Sequence, residues 1–133
     1  MKYLLDTCVA LWSLANDKRI SKEIKDIVND ETNQIFYSTA STWEVELKHE
    51  KFSFFKLSGE QFAFLCDQNG IRNIPIDNKH INNLPKIIKT NEKIKHNDPF
   101  DKLLIAQAKT ENMTIITSDE KFSLYDYKNI IYI

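Results

Sequence analysis

Short apolar segments alternating with helical ones predict an α/β fold, a parallel sheet joined by right-handed crossovers. Three observations carry this. The strand-like runs are brief, the stretches between them repeat at helical spacing, and carboxylates or hydroxyls stand where strands end. In an open parallel sheet the carboxyl end of the strands is where ligands bind. With 133 residues, 42% hydrophobic and 28% charged, the chain suits one globular domain over 1–133 with a core of its own.

The first strand is Tyr3-Leu4-Leu5, which delivers Asp6 and Thr7 at its end. A short helix follows from Val9 to Leu14, then a turn of Asp17, Lys18 and Arg19, then an amphipathic helix from Ser21 to Val28 with Ser21 as cap. Gln34 to Ser38 reads as a second strand, ending in the small polar run to Thr42. The next helix, Thr42 to Lys48, sets Trp43 and Leu47 on one face and Glu44 with Lys48 on another, with Glu44 in its first turn. Glu44 and Lys48 are either a surface pair at i, i+4 or part of a site.

Phe52, Phe54, Phe55 and Leu57 make an aromatic loop patch, suited to core, to a dimer contact or to base stacking. A helix from Ser58 to Asn69 carries Phe62, Leu65 and Cys66, and Gly70 stops it. Ile71 to Ile76 is a third strand and Asp77 to Leu84 a short helix capped by Asp77. Lys86, Lys89, Lys93 and Lys95 then accumulate against the single Glu92. Such a run is a solvated face or a patch that steers phosphates.

Asp98 precedes Pro99, which suits an N-cap before the first helical position. The helix runs through the apolar stretch Leu103 to Ala108, implying burial on more than one face. Asp98 and Asp101 share the face of its first turn. Capping accounts for Asp98 alone; Asp101 stands against a hydrophobic run, where an unpaired charge is costly. Met113 to Thr117 is a fourth strand ending in Thr117-Ser118-Asp119, and Asn129 to Tyr132 a fifth.

The net charge is −1, so there is no global basic footprint for a polyanion, which must be held by a local patch or by metal. With 2 Gly and 3 Pro, the chain has no Gly-rich phosphate loop and no dinucleotide fingerprint. Cys8 and Cys66 lack zinc or redox spacing and an adjacent base, which points to a reducing cytoplasm and away from thiol catalysis. His49, His80 and His96 are dispersed, against a multi-histidine zinc site, though His96 lies close to Asp98 in a surface, capping or catalytic place. No signal peptide or membrane-length apolar run is expected.

Asp6, Glu44, Asp101 and Asp119 therefore converge from four elements on one end of the sheet, with Asp98 behind. Carboxylates so gathered repel one another, which a bound cation relieves. The ligands are hard oxygens, with Thr7 and Thr117 able to complete the arrangement, and these favour Mg²⁺ or Mn²⁺.

These residues resemble a known family. Leu4-Leu5-Asp6-Thr7, Ser41 to Lys48 around Glu44, the Asp98-Pro99-Phe100-Asp101 run through Ala108, and Thr117-Ser118-Asp119 resemble the four acidic motifs of PIN domains, and more closely those of VapC-type toxins. The resemblance spans essentially the whole chain. It implies a five-stranded parallel sheet in the order 3-2-1-4-5 flanked by helices, metal-dependent endoribonuclease activity, an antitoxin that occludes the site, and a homodimer. Asp6, Glu44, Asp101 and Asp119 fall on the acidic tetrad, and Asp98 on an extra acid of the subgroup. Cys8 stands where such relatives often have His, and Lys102 where they often have Arg.

On this reading a metal-activated water hydrolyses RNA, and Lys48 and the lysines from Lys86 to Lys95 hold flanking phosphates. Two readings compete: a PIN-like module that only binds RNA, and an acidic-pocket signalling domain. The latter needs an acceptor Asp at the mid-chain strand end and a Lys after a late strand, where this chain has Ser38 and Asp119.

Overall fold

The structure is a computed structural model, and it describes residues 1–90 and 98–133. Five strands form one sheet in the order β3-β2-β1-β4-β5, with every pairing parallel. They are β1 (Lys2–Leu5), β2 (Gln34–Ser38), β3 (Arg72–Ile74), β4 (Thr114–Thr117) and β5 (Ile130–Tyr132). The helices are α1 (Thr7–Leu14), α2 (Lys22–Asn29), α3 (Thr39–Lys51), α4 (Gly59–Gln68), α5 (Asn78–Asn83) and α6 (Pro99–Glu111). The fold class and strand order are those expected.

The central strand β1 is buried from Tyr3 to Leu5 because it has a neighbour on each side and helices on both faces. Its alternation divides the core. Tyr3 and Leu5 join Val9, Ile24, Val45 and Phe62 on one face, while Leu4 joins Leu104, Ile105, Ile115 and Phe122 on the other. Phe55 and Leu57 pack partly buried against the first cluster, whereas Phe54 stays exposed.

Helix starts follow the chemistry of their caps. Ser21, Ser58, Asp77 and Asp98 each accept a backbone N–H with the side chain at the start of α2, α4, α5 and α6. Gly70 takes the left-handed conformation (φ 73°) just past the end of α4. Gly59 is needed for a different reason. A Cβ there would stand 2.8 Å from the carbonyl oxygen of Thr42, so only glycine lets α4 start directly against α3.

Several boundaries differ from the expected ones. Helix α3 begins at Thr39 rather than Thr42, because Ser38 both ends β2 and caps the helix through Ala40 N–H (3.0 Å). Strand β3 stops at Ile74, before Pro75, whose missing N–H cannot continue the ladder. A short 3-10 helix at Leu84–Lys86 begins on the last residue of the expected Asp77–Leu84 helix, and another at Glu120–Leu124 occupies a stretch that the sequence left without one.

At the far end of α6 a buried histidine is fully engaged. His80 Nδ1 accepts the Asp77 N–H (3.0 Å), and its Nε2 lies 3.0 Å from Glu111, which also pairs with Lys79 at 2.7 Å. Lys79 first, then His80, hold the Glu111 carboxyl below its ordinary range. Among the described residues no helix is long and apolar enough to cross a membrane.

Candidate metal centre

In a parallel sheet each helix that follows a strand starts at the strands' carboxyl end, and each helix that precedes one starts there too. That places the beginnings of α1, α3 and α6 together, with the segment leaving β4 among them. Asp6 and Asp119 come from strand ends, Glu44 and Asp101 from helices.

Asp6 is buried and is the N-cap of α1. Its Oδ1 accepts the Thr7 N–H at 2.8 Å, and its Oδ2 accepts the Thr117 hydroxyl at 2.7 Å. Thr117, fully buried at the end of β4, also accepts the Asp119 N–H at 3.0 Å. One hydroxyl thus fixes the carboxylate of one strand end and the backbone of the other. Asp119 in turn caps the following 3-10 helix by accepting Lys121 N–H at 2.9 Å. Thr7 points elsewhere: its hydroxyl donates to Ser41 Oγ at 2.8 Å, tying α1 to α3.

The electrostatics of Asp6 are unusual for so well hydrogen-bonded a carboxylate. Burial pushes its pKa up, the Thr117 and Thr7 hydrogen bonds work against this, and the charges of Glu44 and Asp119 push it further up. Glu44 and Asp119 therefore stand within electrostatic reach of Asp6. Glu44 occupies the second turn of α3, not its first, because that helix starts three residues earlier than expected. The additional turn includes Ser41, the partner of Thr7.

Asp98 caps α6 through Phe100 N–H (2.9 Å) and Asp101 N–H (3.4 Å). Asp101 is buried, and with Asp98 it acts electrostatically on Tyr125, whose pKa is raised chiefly by burial and then by these two charges. The helices bearing Glu44 and Asp101 meet through Trp43 and Phe100, whose rings cross edge-on with centroids 5.2 Å apart. A buried link lies behind this contact. Ser38, the α3 cap, donates to Gln107 of α6, and Gln107 donates to the Pro75 carbonyl at 3.3 Å.

Cys8 borders the acids, with Sγ 3.8 Å from Asp6 Oδ2 and 3.3 Å from Ser118 Oγ. Burial raises its pKa first, and Asp6 adds to the rise, so the thiolate is disfavoured. Burial alone pushes Cys66 up to about 12. His49 and His80 are engaged elsewhere, with the Phe55 carbonyl and with Asp77 and Glu111.

Lys48 lies exposed on α3, one turn beyond Glu44. Lys86 ends the first 3-10 helix, and Lys89 pairs in a β-bridge with Tyr125, which runs past the second 3-10 helix. Lys93, Lys95 and His96 lie outside the described residues. Among those described, no group of three or more His, Cys, Asp or Glu side chains is already arranged to hold a metal ion. The donor chemistry nevertheless suits a hard cation, with two carboxylates within reach of a third that is buried. Ser41, Gln107 and Ser118, which tie these elements together, had no signal in the sequence, since each acts through a contact far along the chain.

The PIN domain family model matches residues 3–128. Solved structures with this fold include VapBC2 from Rickettsia felis bound to a promoter DNA fragment, at TM-score 0.71 and 18% identity, covering 99% of this chain and 98% of that one. A toxin–antitoxin complex from Klebsiella pneumoniae matches at 0.60 and 16%, covering 97% and 95%. VapBC-1 from nontypeable Haemophilus influenzae matches at 0.59 and 16%, covering 92% and 90%. At these identities the likeness is one of fold. No curated protein matches the chain significantly in sequence.

Proposed function

The chain belongs to the PIN domain family, and from that premise we propose that it is a divalent-metal-dependent endoribonuclease, one domain over 1–133 acting in the cytoplasm as the toxin of a toxin–antitoxin pair. The observation that carries the reading is Asp6, a buried carboxylate whose pKa is raised by burial and by two acidic neighbours at the carboxyl end of a parallel sheet. Like charges held together at a sheet mouth lower stability unless a cation joins them.

Asp6, Asp101 and Asp119 would hold Mg²⁺ or Mn²⁺, with Glu44 ligating or positioning the attacking water. The ion supplies positive charge that acidifies water and offsets charge growing on the phosphate. The chain's own contribution is orientation. Thr117 locks Asp6 Oδ2 and the Asp119 backbone in one arrangement, and the Thr7 N–H holds Asp6 Oδ1. Asp98 sets the start of α6 and with it the direction from which Asp101 enters. Lys48, Lys86, Lys89, Lys93, Lys95 and His96 are assigned to flanking phosphates.

An antitoxin partner is supported by the fold neighbours solved as toxin–antitoxin complexes. Exposed Phe54, Phe64 and Leu65 offer apolar surface for it or for a second copy of the chain.

The test is cleavage of a mixed RNA pool by the purified chain. Cutting should need Mg²⁺ or Mn²⁺, stop with EDTA, and fall at least ~100-fold in Asp6→Asn and in Asp101→Asn. Wild-type protein that binds RNA and never cuts it would replace the nuclease by a binding module. Phosphorylation by a small phosphodonor would mark an acidic-pocket signalling domain.

A further inference from the structure

Trp43 is 58% exposed, in a chain whose other tryptophan, Trp12, is partly buried against the core and covered by the Arg19 guanidinium. Tryptophan is enriched at recognition surfaces, where its broad apolar face can be covered by a partner. Its ring is nevertheless held. The edge of the contact with Phe100, at an interplanar angle of 63°, fixes its orientation. Such a ring offers a surface to a partner with little further entropy to lose.

Its position narrows the partner. Trp43 is the residue before Glu44 and Phe100 the residue before Asp101, so the aromatic pair bridges the two helices that bring acids to the mouth of the sheet. Leu47, one helical turn on, is also exposed, and Lys48 beside it is exposed as well. Neither Lys48 nor Lys102, the residue after Asp101, forms an ion pair with another described residue. An exposed aromatic plane next in sequence to an acid of the centre, with cations on the same two helices that no described acid neutralises, suits a nucleotide: phosphate toward charge, base toward the ring.

We propose that Trp43, braced by Phe100, is the stacking platform for a nucleobase of single-stranded RNA next to the scissile phosphate. This rests on the nuclease reading and adds to it a residue that grips the substrate while taking no part in metal binding. Because every base has a π-face, the platform selects for unpaired, unstacked RNA rather than for a particular base.

The experiment measures binding of a short fluorescent single-stranded RNA by the full chain in EDTA, with inorganic polyphosphate as a ligand that has charge and no bases. Trp43→Ala should weaken RNA binding about tenfold while polyphosphate binding stays unchanged. Trp43→Phe should recover most of the loss, and in a Trp12→Phe background RNA should quench the remaining tryptophan emission. Equal RNA affinity in wild type and Trp43→Ala would overturn the proposal. So would a parallel loss of RNA and polyphosphate, or a variant that keeps RNA and loses only a protein partner. The nuclease reading fails separately, in a wild-type chain that never cuts RNA with metal present; the platform then stands or falls on binding alone.

Discussion

Helix α6 joins two ionic sites built on opposite rules. At its last residue, Glu111 meets Lys79 and His80, and every charge has a partner. Toward its start stands the buried Asp101, and at the same end of the sheet Asp6 lies near Glu44 and Asp119, where burial and like charge both raise the Asp6 pKa. The first arrangement is what folding alone would select. The second costs stability, and a fold retains such a cost where it serves binding or chemistry.

The most forceful way to break the contrast is to supply the missing positive charge. At about 100 times its dissociation constant, Mn²⁺ or Mg²⁺ should stabilise the chain by about 2.7 kcal/mol, a gain lost in Asp6→Asn. Thermal unfolding with EDTA and with metal checks this. The pH dependence carries the same information. The folded pKa of Asp6 lies above the ordinary 3.8, so the folded state holds its proton more tightly. In EDTA this group's contribution to stability is lost as pH rises from 3.8 through the folded value, and saturating metal should flatten that slope.

Breaking the other end should have the opposite signature. His80→Leu leaves the Asp77 N–H without its acceptor and Glu111 with Lys79 alone, at a cost of about 1–3 kcal/mol in urea unfolding. RNA cleavage per folded molecule should be unchanged. If activity fell with stability, the two ends would not be independent. The smallest effect expected is the most diagnostic. Glu44→Gln removes one of the charges that raise the Asp6 pKa, so stability in EDTA should rise by a few tenths of a kcal/mol while cleavage is lost.

The sequence carried the order of elements, the acids at strand ends and most caps, because these depend on neighbours within four residues. Asp98-Pro99 is the clearest case: cap, helix start and acid are contiguous. It was less informative wherever one residue served two elements. Ser38 closes β2 and opens α3, so a run that resembles a loop is already helical and Glu44 sits a turn deeper than expected. The Thr7–Ser41 and Ser38–Gln107 bonds join residues 34 and 69 positions apart, and no local pattern announces such pairs. Trp43 was legible as a face of α3 but not as a surface left open, since exposure is decided by what packs opposite.

Helix α6 is followed by a single left-handed residue, Asn112, before the chain turns into β4. Asp101 near the start of the helix and Asp119 just beyond the strand are therefore the two tips of one stiff bracket. Its helical arm of 13 residues is about 20 Å long. One residue more or fewer in that arm would turn Asp101 through about 100° relative to the strand. The residue count of that arm therefore behaves as a dimension, a gauge that sets how the two acids stand to each other.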